Sequence, residues 1–404
     1  MKGFFSTGET SSSNMPEGKI LSCITCGLYK DCISARMKPY GNNKKNILVV
    51  GEAPGEWEDR KGKPWQGKTG RLLEQTLEKI GIDLFEDCIS INAVSCRPMD
   101  KHGENRAPTN HEIDSCRRYV LRAIDTYKPK LIMLFGGSAV QSVIGYRWKK
   151  ELGGITKWRG FTIPDRDLEA WICPTFHPSY VERGGKVEYT VWFGDMNRIK
   201  DLIGKPLPPH IEPNIEVIED LDVLYSIKDE CAIDYETTGI KPHGMGHRIL
   251  SVAVADGPLH AFAFLMPEIR SKQKPLLDLL KNPDIRKIGQ NIKFEESWSV
   301  NYLRQPVVNW SWDTMLATHI IDNRERITGL KFQVYVNFGV VDYESDVGPY
   351  KRAKDEKNAN SINRMEELTK LPGGVDKLLY YNGYDATSTY RLAKIQQELI
   401  ILPF

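Results

Sequence analysis

Along the chain, apolar residues fall into two patterns: short unbroken runs, and stretches spaced at three and four. The runs at 47–50, 88–94 and 131–135 read as buried strands, and the spaced stretches at 70–80 and 111–127 as amphipathic helices between them. Strand and helix in alternation predict a parallel sheet covered by helices. After residue 215 the order changes. Strand-like runs at 231–235, 249–255 and 260–265 follow one another directly, and mostly helical sequence runs on to residue 404, which predicts a mixed sheet followed by helices. The class is α/β, in two parts.

Between the parts, residues 205–213 hold four prolines, at 206, 208, 209 and 213. Proline fixes φ and lacks a backbone N–H, so this stretch sustains neither a helix nor a central strand and predicts a stiff linker over 205–214. It separates a domain at 19–204 from one at 215–404. Residues 1–18, rich in Ser, Gly and Asn without apolar periodicity, predict a flexible tail.

Composition narrows the classes. A chain of 404 residues exceeds what one hydrophobic core usually organises, and 41% hydrophobic with 27% charged residues excludes fibrous and wholly disordered proteins. Fifty-five basic against 53 acidic residues leave a formal charge of +2, so any nucleic-acid surface is a local patch. The most apolar stretch, 131–145, is broken by Gly136, Gly137, Ser138 and Gln141 and falls short of the roughly 18 to 20 residues of a membrane span. The start of the chain lacks a signal peptide's apolar core, so a cytoplasmic protein is expected. Eight cysteines in such a chain read as thiols with room for a metal site, not a disulfide scaffold. Cys23 and Cys26 two residues apart, Cys96 after a strand and Cys116 in a helix make four thiols, a set that serves zinc and iron–sulfur clusters equally well. Cys32 is a spare.

Gly51-Glu52-Ala53-Pro54-Gly55 follows the first strand directly, at the carboxyl end where α/β proteins place ligands. Pro64-Trp65-Gln66-Gly67, Asn92, Arg97-Pro98, Asn105-Arg106, Arg159-Gly160 and His177-Pro178-Ser179 follow in order. This set resembles the family-4, iron–sulfur type of uracil-DNA glycosylase over roughly residues 18–205. The resemblance implies a parallel-sheet α/β/α glycosylase fold, a uracil-containing DNA substrate, and a [4Fe-4S] cluster on Cys23, Cys26, Cys96 and Cys116 that holds the N-terminal segment onto the sheet. Taking a base out of the stack calls for an aromatic platform and an amide that reads its edge, here Trp65 and Asn92. Breaking the glycosidic bond builds positive charge on the sugar and negative charge on uracil, so a carboxylate and a donor both lower the barrier. By resemblance Glu52 holds the attacking water, His177 donates to the departing base, and Glu58 crowds the 5-methyl group of thymine. The family usually has Phe where this chain has Trp65.

In the second part, Asp234-Tyr235-Glu236 sits on a strand, whose period of two sends both carboxylates to one face of a half-buried element. Two such groups side by side call for a counter-ion. With Asn291 and Glu295, Asp313 to Ala317, Thr328 to Lys331, and Tyr381 with Asp385, the segment resembles the DEDDy-type 3'-5' proofreading exonuclease of polymerase I-like DNA polymerases, an RNase H-like mixed-sheet fold. The resemblance implies two divalent ions, Mg or Mn, on Asp234, Glu236, Glu295 and Asp385, with Glu295 standing where the family usually has Asp. Tyr381 and Asp385, four apart, share a helical face, and Tyr381 orients the attacking water. Asn291 and Lys293, with Phe294, line a single-strand channel. The order of the two parts is that of some bacteriophage polymerases, so the expected partner is a DNA polymerase domain or subunit in a bacterial or phage-infected cytoplasm. The rival reading makes the first half a non-catalytic DNA-binding module and leaves the exonuclease as the active part.

Overall fold

The computed structural model describes residues 23–353, 355, 358 and 360–401; the expected tail at 1–18 lies outside them. The first sheet has five strands, β1 (Ile47–Gly51), β2 (Cys88–Asn92), β3 (Leu131–Phe135), β4 (Ile163–Asp165) and β5 (Ala170–Thr175), in the order β2-β1-β3-β5-β4. Every residue of β1, β2 and β3 is buried, which is why they read as unbroken apolar runs. β1 and β2 pair in parallel from Ile47 with Cys88 to Gly51 with Asn92, so the two strands end level. The run expected at 88–94 stops at Asn92, and the next two N–H groups donate to Gly51 and Glu52 instead of continuing a strand. β4 and β5 pair antiparallel. Pro164 and Pro174 interrupt them, so neither reads as an unbroken apolar run. The helices Lys68–Lys79 and Asn110–Tyr127 form as the spacing predicts. The second is capped by a reciprocal pair, Thr109 N–H donating to Glu112 (2.7 Å) and Glu112 N–H donating to the Thr109 hydroxyl (3.3 Å).

Contacts divide the chain into two compact units. Among the described residues, one takes in residues 23–128 with Leu134–Ile144 and His177–Tyr189; the other comprises Pro129–Met133, Gly145–Phe176 and the described residues from Thr190 on. Residues 205–213 carry neither helix nor strand.

The second unit holds a six-stranded mixed sheet: β6 (Asn214–Val217), β7 (Glu230–Thr237), β8 (Ile249–Gly257), β9 (His260–Leu265), β10 (Arg286–Gly289) and β11 (Trp310–Asp313), ordered β11-β10-β7-β8-β9-β6. The three runs expected as strands are there. Beyond residue 265 the chain is mostly helical, as expected, and it adds two strands not anticipated, β10 and β11, four-residue strands carrying Arg286, Lys287, Ser311 and Asp313, too short and too polar for a periodicity argument.

The two faces of this sheet differ in size. Ile233, Tyr235, Val252, Val254 and Phe264 pack with Leu276, Leu279 and Trp298 on one side. Ala232, Ala253, Ala255, Ala261 and Ala263 form the other and take the long helix Gly374–Ile401 through Leu379, Ala386 and Ala393. A face of alanines lets the helix axis approach the strands closely. Asp234 and Glu236 share the parity of Ala232, so alternation alone delivers them to the face against which that helix lies.

Candidate active sites

The first site forms where β1 and β2 end. A β-carbon on Gly51 would stand 2.3 Å from Asn92 Oδ1 and 2.9 Å from the Trp65 ring, so only glycine lets amide and indole share this corner. Trp65 adopts φ 59°, a left-handed conformation that a β-carbon disfavours. Glu58 holds it there: Oε1 accepts from the N–H groups of Gln66 (2.9 Å) and Gly67 (3.0 Å), and Oε2 from that of Gly55 (3.1 Å). The Trp65 ring meets Phe135 edge-on at 5.9 Å and lies against the His177 ring at 5.6 Å and 27°.

His177 caps the helix Pro178–Gly184. The Ser179 N–H donates to Nδ1 (3.3 Å), and the Ser179 hydroxyl faces the same nitrogen at 2.8 Å. An accepting Nδ1 places the proton of the neutral ring on Nε2. Burial, with the Arg183 charge adding to it, pushes the imidazole down from 6.5 to about 4, so the ring is neutral at physiological pH. The Ser138 hydroxyl donates to Glu52 Oε2 (3.0 Å). Glu52, Glu58, Trp65, Asn92 and His177 thus line one cavity of about 620 Å³ within the first unit, with Asn105 and Arg106 on its rim.

Four cysteines gather nearby. The one-turn helix Cys23–Cys26 packs on helix Asn110–Tyr127, which carries Cys116. Cys23 Sγ lies 2.9 Å from the Tyr119 hydroxyl, and Cys96 Sγ accepts from the Arg36 N–H (3.2 Å). Burial, with Cys26 and Cys23 adding, pushes the Cys116 thiol up to about 11; burial, with Cys32 and Cys116 adding, pushes Cys96 to about 12. Cys32 is hydrogen-bonded to Cys96. Among the described residues no three of the sulfurs lie within 4.8 Å of one another. Four thiols are a soft donor set that fits zinc and an iron–sulfur cluster alike.

The second site is acidic. Asp234, Glu236 and Asp385 each offer an oxygen within 4.8 Å of the others. Burial first, then the charges of Asp385 and Glu236, hold the Asp234 carboxyl well above its ordinary range; Glu236 is raised by burial and by Asp385. Asp385 goes the other way: Lys331 and Lys351 outweigh the effect of its burial. Lys331 donates to Asp385 Oδ1, as does the Tyr343 hydroxyl (2.6 Å), and Lys351 reaches the Tyr381 hydroxyl (2.9 Å) and Glu236 (3.3 Å). Asn382 donates to Asp234 Oδ2 (2.6 Å) while accepting from Ser251.

Glu295 lines the same cavity, of about 760 Å³, but stands outside the close triad. Among the described residues its buried Oε2 has no hydrogen-bond partner, and burial with the Asp234 charge raises it well above its ordinary range. Among the described residues Lys331 and Lys351 bond to this carboxylate group while one Glu295 oxygen is orphaned, a donor set that fits divalent cations. Of the expected channel residues, Asn291 and Phe294 line the cavity, whereas Lys293 is exposed and absent from its wall. Asp313 turns out to be a cap, accepting from the N–H groups of Asn291, Ile292 and Met315. Lys351 and Tyr343 were invisible to motif reading; Lys331 and Asn382 lay in segments that the sequence had flagged.

Residues 38–197 match the uracil DNA glycosylase superfamily, and residues 214–398 match a 3'-5' exonuclease family. The chain is 32% identical over 197 residues to the type-4 uracil-DNA glycosylase of Archaeoglobus fulgidus, covering 47% of this chain and 92% of that one. It is 34% identical over 188 residues to that of Thermotoga maritima, covering 46% and 92%. A DNA polymerase of Bacillus phage SP01 is 27% identical over 399 residues, 89% of this chain, which spans 40% of that relative's length. The chain therefore belongs, through its first half, to the type-4 uracil-DNA glycosylase family, joined in one polypeptide to a 3'-5' exonuclease domain.

Proposed function

We propose that the protein excises uracil from DNA by hydrolysis of the N-glycosidic bond and removes 3'-terminal nucleotides by metal-dependent hydrolysis, within or beside a polymerase I-like DNA polymerase. The observation that carries the first activity is the neutral His177, its proton on Nε2, set in one cavity with Trp65, Asn92 and Glu52. Trp65 receives the flipped base on its face, and the Asn92 amide reads its edge. His177 Nε2–H donates to the uracil oxygen as negative charge develops, and a neutral donor avoids burying a cation in that cavity. Glu52, oriented by Ser138, holds the attacking water and faces the cationic sugar. Glu58, with three backbone N–H groups on its carboxylate, acts on selectivity by fixing the Trp65 loop beside the 5-position of the base.

Cys23, Cys26, Cys96 and Cys116 hold a [4Fe-4S] cluster, which ties the N-terminal segment to the sheet. The similarity of this half to type-4 uracil-DNA glycosylases supports this over zinc. At the second site Asp234, Glu236, Asp385 and Glu295 hold two Mg or Mn ions, which when bound stabilise the attacking and leaving oxygens of phosphodiester hydrolysis. Tyr381 orients the attacking water and Asn291 contacts the strand. The glycosylase domain spans 19–204 and the exonuclease domain 215–404, with 205–214 linking them. The alignment with a phage DNA polymerase across both domains supports the polymerase connection. Among the described residues no helix is long and apolar enough to cross a membrane.

The test separates the activities by metal. In EDTA, an end-labelled single strand with one uracil gives one alkali-dependent cut, lost in Asn92→Ala and His177→Ala. With Mg²⁺, a uracil-free strand is shortened from its 3' end, and Asp234→Asn abolishes this. Absence of the EDTA-resistant cut refutes the glycosylase reading and leaves the first half as a binding module.

A further inference from the structure

The Lys331 ammonium on Asp385 depends on where its helix, Leu330–Phe338, is held, and that helix is anchored by a segment from the other side of the linker. Gly145–Phe176 and the exonuclease residues belong to the same compact unit. The fully buried Tyr335 hydroxyl donates to the fully buried Asp165 (2.7 Å), which Arg147 grips through both carboxylate oxygens (2.7 and 3.0 Å). One turn earlier, Phe332 packs on Trp158 at 5.0 Å with Lys157 Nζ 4.9 Å from the Phe332 ring centre, and Trp148 lies 5.8 Å from Tyr335. Just past the helix, the Arg166 N–H donates to Gly339 O (3.2 Å), and a β-carbon on Gly339 would stand 1.7 Å from Pro164 O. This is the close, polar-locked packing of a folded interior.

We propose that Gly145–Phe176 is a positioning platform for the nuclease centre: through Arg147, Asp165 and Tyr335 it fixes the helix whose Lys331 stands on Asp385. The inference rests on the exonuclease reading and goes beyond it, because it makes part of the glycosylase-family region a required component of the nuclease. Arg147, Asp165 and Tyr335 act through Lys331 and lie outside the cavity wall. The helix is pinned at Phe332 and Tyr335, one and four residues beyond Lys331, so loosening the pin displaces the ammonium more than it disturbs the sheet that carries Asp234 and Glu236.

The test uses the full chain. Tyr335→Phe removes one hydroxyl and leaves the Arg147–Asp165 pair intact; Asp165→Asn disturbs both contacts. Each is combined with Lys331→Met in a double-mutant cycle. We expect Tyr335→Phe to lower kcat for Mg²⁺-dependent trimming about fivefold and Asp165→Asn about twentyfold, with KM within about twofold. Uracil excision by the same preparations in EDTA should stay unchanged, and neither variant should cost anything further in the Lys331→Met background. Losses that add to that of Lys331→Met, a parallel fall in uracil excision, or unchanged trimming would overturn the platform while the exonuclease reading stands. A wild-type protein with no metal-dependent trimming overturns that reading and this inference together.

Discussion

Protonating His177 is costly in two separable ways, and both can be measured. The ring ionises near pH 4 when folded and near 6.5 when free. Below 6.5 the unfolded chain therefore binds a proton that the folded chain refuses. Its contribution to stability is fully present above pH 6.5, declines as pH falls, and is gone below about pH 4. At 1.36 kcal/mol per pH unit the whole change is about 3 kcal/mol. Urea unfolding of wild type and His177→Asn between pH 7 and 4 reads it, since asparagine also caps a helix and the other titrations cancel in the difference. The wild-type advantage should shrink by about 3 kcal/mol across that window. Catalysis gives the second readout. At pH 5 a ring ionising near 4 is about nine-tenths neutral, whereas an ordinary imidazole is about 3% neutral. Protonating Nδ1 breaks the Ser179 N–H bond that orients the ring, so uracil excision should be nearly as fast at pH 5 as at 7.5, fall to about half near pH 4 and fail well below it. An excision rate that falls about thirtyfold between pH 7.5 and 5, or a stability difference that ignores pH, would refute the buried, neutral donor.

Other outcomes follow from single contacts. Gly51→Ala drives a methyl into Asn92 and Trp65, costing about 1 to 3 kcal/mol of stability and about a hundredfold in uracil excision; wild-type kinetics would show the corner to be looser than its distances. Glu295→Gln relieves a buried carboxylate with an orphaned oxygen, so in EDTA the protein should gain about 1 to 3 kcal/mol in chemical denaturation, while trimming needs more Mg²⁺ for half-maximal rate. Cys116→Ser should lower the iron content of purified protein and loosen Cys23–Cys26, seen as faster proteolysis near the N-terminus.

What the sequence made legible follows the strength of its periodicities. β1, β2, β3 and the helix at 110–127 bury whole faces, so their patterns survive any context. β10 and β11 were missed because parallel pairing within the sheet, not side-chain pattern, makes them strands. The site residues brought together are those on such strands or beside fixed turns: Asn92 at the end of β2, Asp234 and Glu236 on β7, Tyr381 and Asp385 one turn apart. Lys293 was misplaced into the cleft because its neighbours Asn291 and Phe294 do line it, and a helix turns the residue between them outward. Lys351 and Tyr343 were illegible for a different reason. They come from segments whose positions only tertiary packing decides, and nothing local distinguishes a lysine that meets Glu236 from one that meets water.

The two centres show how the same burial yields opposite chemistry. In the first, one imidazole is enclosed against an indole with a like charge, Arg183, as its electrostatic neighbour, so burial strips its proton and leaves a neutral donor. In the second, burial falls on carboxylates that also face one another, and it drives Asp234 and Glu295 toward protonation unless cations replace the protons. Lys331 and Lys351 meet part of that demand at Asp385 and Glu236, but among the described residues no ammonium bonds to the orphaned Glu295 oxygen. The first centre is thus complete with its own side chains, and EDTA should leave it untouched. The second packs buried carboxylates against one another in a set that fits divalent cations, so the same reagent should silence it.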